Sequence, residues 1–543
     1  MKSLKQMKNK KAWIIPVLTF LLGAMLVSIG ANIMFRNYLK GRAAGWQKMN
    51  LVLSQIDANY VDDVDHAVVT DAAIAAALEK LDPHSVYMLP EPLKEAEDQL
   101  SGGFEGIGIQ FNVPNDTAVV LSVIPGGPAE RAGILSGDRL LKADERDMAG
   151  VKMPQDTMVR LMKGPKGTKV TITVGRDGEK IPFELTRDRI PEHCVDAAFM
   201  LNDTTGYLRL SKFTRTTYAE CLEATVGLVS QGMTHLLFDV RDNTGGYFDQ
   251  ACNLANDYLP NGAGIVYMEG KHRPRSDVKA NGRGLFQNLG ISVLINDGSA
   301  SASEIFAGAI QDNDRGVIVG RRSFGKGLVQ EPIYFSDGSG VRLTVARFHT
   351  PSGRCIQKPY SDDYAYDFLK RYKDGELMSA DSIKVDSTKI YRTLKGRTVY
   401  GGGGIIPDVF VPIDTTKANR FHIECNKKAL AVRYAGKFID KHRKDIIILE
   451  KVEELDTYFK QCGLEKDFLA FARSQGVVAR PGEWEESRVY LLPQIKGLCA
   501  RYSKLGETAY YRYVLPLDET VQAAIKHGPV LELPSDEESL DIE

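Results

Sequence analysis

Cysteine is scarce and poorly placed for pairing. The seven present, Cys194, Cys221, Cys252, Cys355, Cys425, Cys462 and Cys499, are odd in number, widely scattered and contain no C-x-x-C pair. That excludes a disulfide-dense framework. Nine histidines include no H-E-x-x-H and no cysteine–histidine spacing suited to zinc, so no metal and no cofactor is expected. Charge of one sign is lacking too. Sixty-nine Lys and Arg face 70 Asp and Glu, a net charge of −1, which removes any global argument for nucleic-acid binding. There is no internal repeat. Hydrophobic content of 43% and charged content of 26% exclude a largely disordered or collagen-like chain. At roughly 150 residues per domain, 543 residues predict about three or four domains. Glycine is plentiful, with 50 residues, and its clusters mark the loops of interest.

One long hydrophobic run stands at the amino terminus. Lys2, Lys5, Lys8, Lys10 and Lys11 precede Ala12–Phe35, which carries no charge and as a helix spans about 36 Å, enough for a hydrocarbon core of about 30 Å. The positive flank places residues 1–11 in the cytoplasm and makes residues 12–35 a transmembrane signal anchor. A cleaved signal peptide is the alternative, since Ser28 and Gly30 are small enough for a cleavage site, but the run is longer than a usual signal core. The expected location is a bacterial inner membrane, single-pass, with the rest of the chain in the periplasm.

Residues 46–100 read as a helical region that breaks at Leu81-Asp82-Pro83. From Gly102 to about Asp188 short β-rich runs alternate with glycine and proline, a compact unit of roughly 85 residues. Residues 190–414 alternate strand and helix. The strands are Gly206–Leu210, His235–Val240, Ile291–Ile295, Val317–Gly320 and Val341–Arg347; the helices are Thr217–Ser230, Phe248–Tyr258 and Ser303–Asp312. Residues 415–533 form a helical extension, clearest at Lys417–Gly436 and Asp445–Phe459, and 534–543 an acidic tail.

Within the α/β region three loops follow strands: Arg241–Gly246, Asn296–Glu304 and Ser323–Gly327. If the strands are parallel, all three loops lie at their carboxyl ends, the edge where open α/β sheets bind ligands. Taken singly, each loop has an ordinary explanation. Ser301-x-x-Glu304 is the pattern of a capping box, and Gly-Lys-Gly is commonly an exposed turn. Together they supply a nucleophile, a base and backbone N–H donors. Gly320 to Lys326 also fits the phosphate-loop pattern G-x-x-x-x-G-K, but Gly327 stands where Ser or Thr must bind Mg²⁺, and Leu328–Pro332 is strand-like where a helix is needed. His235 and His349 have no clear acid partner, so a Ser-His-Asp triad is unsupported. Gly401–Gly404 reads as a flexible turn.

The run Gly298-Ser299-Ala300-Ser301-Ala302-Ser303-Glu304-Ile305, followed by Phe324-Gly325-Lys326-Gly327-Leu328-Val329-Gln330, resembles the carboxyl-terminal processing (tail-specific) proteases, serine endopeptidases with a Ser/Lys site and an inserted PDZ domain. Further matching segments are Leu81–Ser85, Gly102–Gly108, Asp239–Gly246, Thr350–Arg354 and Gly404–Asp408, so the resemblance covers about residues 46–414. It implies a crotonase-like (ββα-spiral) protease core at 190–414 with a PDZ domain inserted at 102–188. It also implies Ser301 as nucleophile, Lys326 as general base and Gln330 as the group orienting the lysine. By the same resemblance the oxyanion donors would be the N–H of Ala302 and of a glycine in the Gly245-Gly246 pair, and Asp312 matches an acid sometimes implicated in the family but reads here as structural. Thr244 departs from the proline usual before the diglycine. Lys163 departs from an arginine common at the edge of the PDZ domain, which puts in doubt any switch that needs a guanidinium fork.

A lysine at its solution pKa of about 10.4 is only about 0.1% neutral near pH 7.4, so Lys326 must be desolvated to act as a base. The glycine-rich segment Gly106-Ile107-Gly108-Ile109 resembles a PDZ carboxylate-binding loop, which implies protein or peptide substrates with free apolar carboxyl termini. The alternative of a different class is an inactive PDZ scaffold in the envelope. The extension is compatible with a dimer arm (hence a homo-oligomer), a partner-docking module or a support for the core.

Overall fold

The structure, a computed structural model, describes residues 47–529 apart from 114–115, 125, 177, 361–363 and 415–417. The run 12–35 and the acidic tail 534–543 lie outside the described residues. Among those described, no helix is long and apolar enough to cross a membrane. The chain divides into two compact units, Met1–Lys80 and Leu81–Glu543. The first holds helical residues 47–59 and the helix His66–Glu79. Asp65 caps that second helix, its carboxylate accepting from the N–H groups of Ala67 and Val68. The break predicted at Leu81 falls close to the observed end, but residues 46–100 are not uniformly helical. Val86–Met88 is a strand, paired antiparallel with Gly340–His349, and the helix Pro90–Leu100 follows it with proline in its first turn.

The α/β region is built on a six-stranded sheet in the order Val195–Met200, Thr205–Leu210, His235–Asp239, Gly290–Ile295, Val317–Gly320 and Val409–Phe410. It is parallel throughout except for the first pair. His-Leu-Leu-Phe-Asp (235–239) has no polar alternation because both faces of this strand are covered. Leu236 and Phe238 face one hydrophobic cluster, with Phe306 and Ile310 of the helix Ala302–Asp312. Leu237 faces the other, with Val521 and Ala524 of the helix Glu519–His527. Each such side chain contributes about 1.5–3 kcal/mol on burial. The last helix of the extension is therefore a layer of the core.

Val341–Arg347, read as part of the α/β alternation, lies elsewhere. As Gly340–His349 it is the centre of a second, antiparallel sheet with Val86–Met88, Gly264–Gly270, Arg273–Lys279 and Leu328–Tyr334.

Between Ile109 and Thr186 a separate antiparallel sheet runs in the order Ile109–Asn112, Ala118–Val123, Arg139–Ala143, Lys169–Arg176, Glu179–Thr186. It packs on Ile107, Met158 and Met162, the last two from the helix Gln155–Met162. A two-stranded ribbon, Gly103–Gly106 against Asp188–Pro191, joins this unit to the core. In the extension the predicted helix 417–436 is interrupted: Arg420–Lys427 and Leu430–Ile446 meet at Ala429, which is left-handed at φ 49°. That turn lets Phe421 and Cys425 share one core with Tyr434, Phe438, Phe459 and Phe468.

Candidate active site

The three strand-end loops are laced together. Ala300 N–H donates to Asn243 O at 3.0 Å and Phe324 N–H to Ser299 O at 2.9 Å. Asn296 exchanges two 2.8 Å hydrogen bonds with Asp242. At the foot of the first loop, burial opposes ionisation of Asp239, but the guanidinium groups of Arg241 and Arg209 hold its carboxyl well below the usual range.

This lacing separates the three serines. Ser299 Oγ donates to Val240 O and Ser303 Oγ to Asn243 O, both at 2.8 Å, and both residues are fully buried. Ser301 is half-buried and lines a cavity of about 960 Å³ that also contains Lys326, Gln330, Gly245 and Gly246. It sits one residue before the helix Ala302–Asp312 at φ 55°, ψ −112°, a conformation that costs a non-glycine residue about 1–3 kcal/mol. The strain is held by Glu304, which does more than cap. One of its oxygens accepts from Ser301 N–H (2.8 Å) and Lys326 N–H (2.8 Å), the other from Gly325 N–H (2.7 Å) and Ser323 Oγ (2.5 Å). Burial pushes this carboxyl up, against the pull of those donors. A single buried carboxylate thus sets the spacing between the serine loop and the lysine loop.

Lys326 donates from Nζ to Gln330 Oε1 at 2.9 Å, and Gln330 Nε2 donates to His84 O at 2.6 Å. Gln330 is aimed by a register shift between Val329 and Gln330 in its strand. Burial lowers the lysine's pKa, the nearby charge of Arg342 lowers it further, and Glu304 and Asp82 oppose the shift. Among the described residues no hydrogen bond joins Lys326 Nζ to Ser301 Oγ. Leu81–Ser85 is folded on Asp82, which accepts from His84 N–H and Ser85 N–H at 2.8 Å. Burial, with Lys326 and Lys358 nearby, pushes His84 down to about 4, so its ring is neutral at physiological pH.

The diglycine is packed rather than loose. A Cβ on Gly245 would lie 2.8 Å from Ser301 Cβ and 2.9 Å from Ala302 N, and one on Gly246 would collide with Phe213 O. Gly245 N–H already donates to Asn243 Oδ1 at 2.9 Å, whereas Gly246 N–H has no partner among the described residues. Gly401–Gly404 is not a free turn: Gly404 N–H donates to Ile356 O, and the run packs against Gly325 beside the lysine. Asp312 is fully enclosed in an ion pair with Arg354 at 2.6 Å, away from the cavity. Of the second group of predicted residues, Gly106–Ile109 line a different cavity, where Lys163 Nζ lies 5.1 Å from the centre of the Phe104 ring. The His84 carbonyl, Arg342 and the bridging role of Glu304 were not singled out from sequence. Only Glu304 left a trace there, as the fourth residue of the capping pattern.

Comparison with known proteins agrees with the layout. A model of Peptidase family S41 matches residues 204–365, a PDZ domain model matches 106–186, and a family of unknown function (DUF8443) matches 421–503. A probable CtpA-like serine protease of Staphylococcus epidermidis is 31% identical over 355 residues, 64% of this chain and 71% of the relative. The carboxy-terminal processing protease CtpA of Bacillus subtilis is 33% identical over 354 residues, 63% of this chain and 75% of the relative. Among solved structures, a photosystem II D1 C-terminal processing protease shares 27% identity, with a TM-score of 0.37 over 69% of this chain and 88% of that one.

Proposed function

The chain belongs to the carboxy-terminal processing proteases of peptidase family S41, serine-type peptidases with a PDZ domain, and from that premise we propose that it cleaves proteins selected by their free carboxyl termini through a Ser301/Lys326 mechanism on a crotonase-like core. The observation that carries this reading is a half-buried lysine with a lowered pKa, held by Gln330, in the same cavity as the strained Ser301. Neutral Lys326 takes the Ser301 Oγ proton as the oxygen attacks the peptide carbonyl. The ammonium so formed returns the proton to the departing amine. Water, deprotonated by the again neutral Lys326, then attacks the acyl carbonyl, and the lysine ammonium returns that proton to Ser301 Oγ as the carboxylic acid is released. The developing oxyanion is met by the N–H groups of Gly246 and Ala302. Gln330 positions the lysine without touching substrate. Replacing Lys326 by Ala should lower kcat/KM at least about 10³-fold with the fold intact. Near wild-type peptidase activity would overturn the assignment.

The free carboxylate of the substrate is read at Gly106–Ile109, and its last side chain is apolar. Residues 12–35 anchor the protein in the membrane with the catalytic part outside the cytoplasm. The chain should sediment with inner membranes and be digested by protease added to spheroplasts; digestion only after lysis would refute that orientation.

A further inference from the structure

The loop Gly106–Ile109 and the strand that follows it, Ile109–Asn112, form one wall of a cavity of about 1020 Å³. That is at the upper end of the range for small-ligand sites, about 300–1,000 Å³. Among the described residues this strand has a single partner, Ala118–Val123, and its other edge is open. An open edge beside a glycine-rich loop is what an added peptide strand requires. The facing wall is shared: Val159 and Met162 come from the PDZ helix Gln155–Met162, and Val432, Ala435 and Gly436 of the helix Leu430–Ile446, with Leu498, Arg501 and Tyr502, come from the helical extension.

Two contacts tie the extension's part of this wall to the PDZ unit. Arg139 of the PDZ sheet pairs with Asp440 of the same helix at 3.5 Å. The Arg443 guanidinium also covers Gly137, a PDZ glycine at φ +82° where any Cβ would collide with it. A third feature is a small gap where the wall meets the end of the strand, at Asn112. Gly436 is in mid-helix, where glycine is less favourable than alanine, yet a Cβ there would meet only Asn112 Nδ2, at 3.8 Å. Packing within the protein therefore gives no reason to exclude a side chain at 436. Val432, one turn earlier, is 51% exposed although apolar.

We propose that the extension completes the substrate-end site: the extended carboxyl-terminal strand of a protein substrate lies between Ile109–Asn112 and the helix Leu430–Ile446. Side chains of an added strand alternate in direction. Those turned toward the PDZ helix meet Val159 and Met162, and those turned away meet Val432, Leu498 and Tyr502. The extension is thus a specificity wall, selecting an apolar residue upstream of the end. This rests on the reading that the PDZ unit captures free carboxyl termini.

The test uses the full chain carrying Ser301→Ala and a fluorescent ten-residue peptide with an apolar, free carboxyl end, read by anisotropy. Gly436→Leu, which fills the gap with a good helix former, and Val432→Lys, at an exposed position, should each weaken binding at least about tenfold, with the melting temperature unchanged or raised for Gly436→Leu. Val432→Lys should also shift preference toward a peptide with Asp in place of an upstream apolar residue. Affinities within twofold of the parent for both variants, and no shift in preference, would overturn the role of the extension. Should Gly436→Leu not fold, the affinity and preference of Val432→Lys decide alone. Amidating the peptide distinguishes the two levels. If amidation changes nothing, end capture itself is wrong. If it weakens binding while both variants bind normally, only the extension's part falls.

Discussion

Around Ser301 the cavity walls are backbone loops pinned by buried hydrogen bonds, four of them on the single carboxylate of Glu304. Around Ile109–Asn112 the walls come from two regions of the chain, the PDZ sheet and the extension, tied by contacts that include an ion pair at 3.5 Å, with an exposed valine looking in. The difference follows the task. Chemistry needs reacting atoms held to within a fraction of an ångström, because a displacement of about 1 Å costs about 10²-fold in rate. Capturing varied substrate ends tolerates, and benefits from, a wall that can give. Changes in the first cavity should therefore act on turnover and changes in the second on affinity, with little crossing between them.

The largest effect expected is that of Lys326→Ala, and its sharpest form is the contrast: turnover collapses while the labelled peptide binds within about twofold of the parent. If affinity fell as steeply as rate, the two cavities would be one site. Next comes Glu304→Gln, which keeps the shape but turns an amide NH₂ toward backbone N–H donors. It should lower kcat by about 10²-fold through misplacement of Ser301 and Lys326, while KM for a carboxyl-terminal substrate changes little; a pure KM effect would break the comparison. The smallest effect is a pH shift. In the proposed mechanism neutral Lys326 is the active form, so kcat/KM should rise with pH through its lowered pKa. Removing the positive charge of Arg342 (Arg342→Met) relieves part of that lowering, so the rising limb must move to higher pH. A limb that stays in place, or moves to lower pH, would show that Arg342 does not act through the lysine.

Much of this was legible before any coordinates. The parallel strands and their helices were readable because both-face burial leaves unbroken apolar runs such as His235–Asp239 and Ile291–Ile295, bounded by loop-forming residues. Leu328–Pro332 could be read as a strand, but not its placement in a second sheet with Gly340–His349, because pairing between distant segments leaves no local pattern. The serine run pointed to Ser301 only by resemblance; the physical distinction, that Ser299 and Ser303 spend their hydroxyls on backbone carbonyls, needs three dimensions. Glu304 was hidden by a second meaning of its own motif, since a capping box and a loop bridge use the same spacing. The break at Ala429 was invisible because nothing about alanine announces a left-handed turn.

The ribbon Gly103–Gly106 with Asp188–Pro191 touches both cavities. Arg189 faces the one with Ser301, and Phe104, Gly106 and Pro191 face the one with the open strand. A polypeptide held by its end on one side and attacked on the other must span that strip. On the proposed reading, the bond cut would be set by its distance from the held end, as along a ruler. Extending a substrate by two residues while preserving its last four should move the cut by two, and a fragment too short to span the strip should leave uncut.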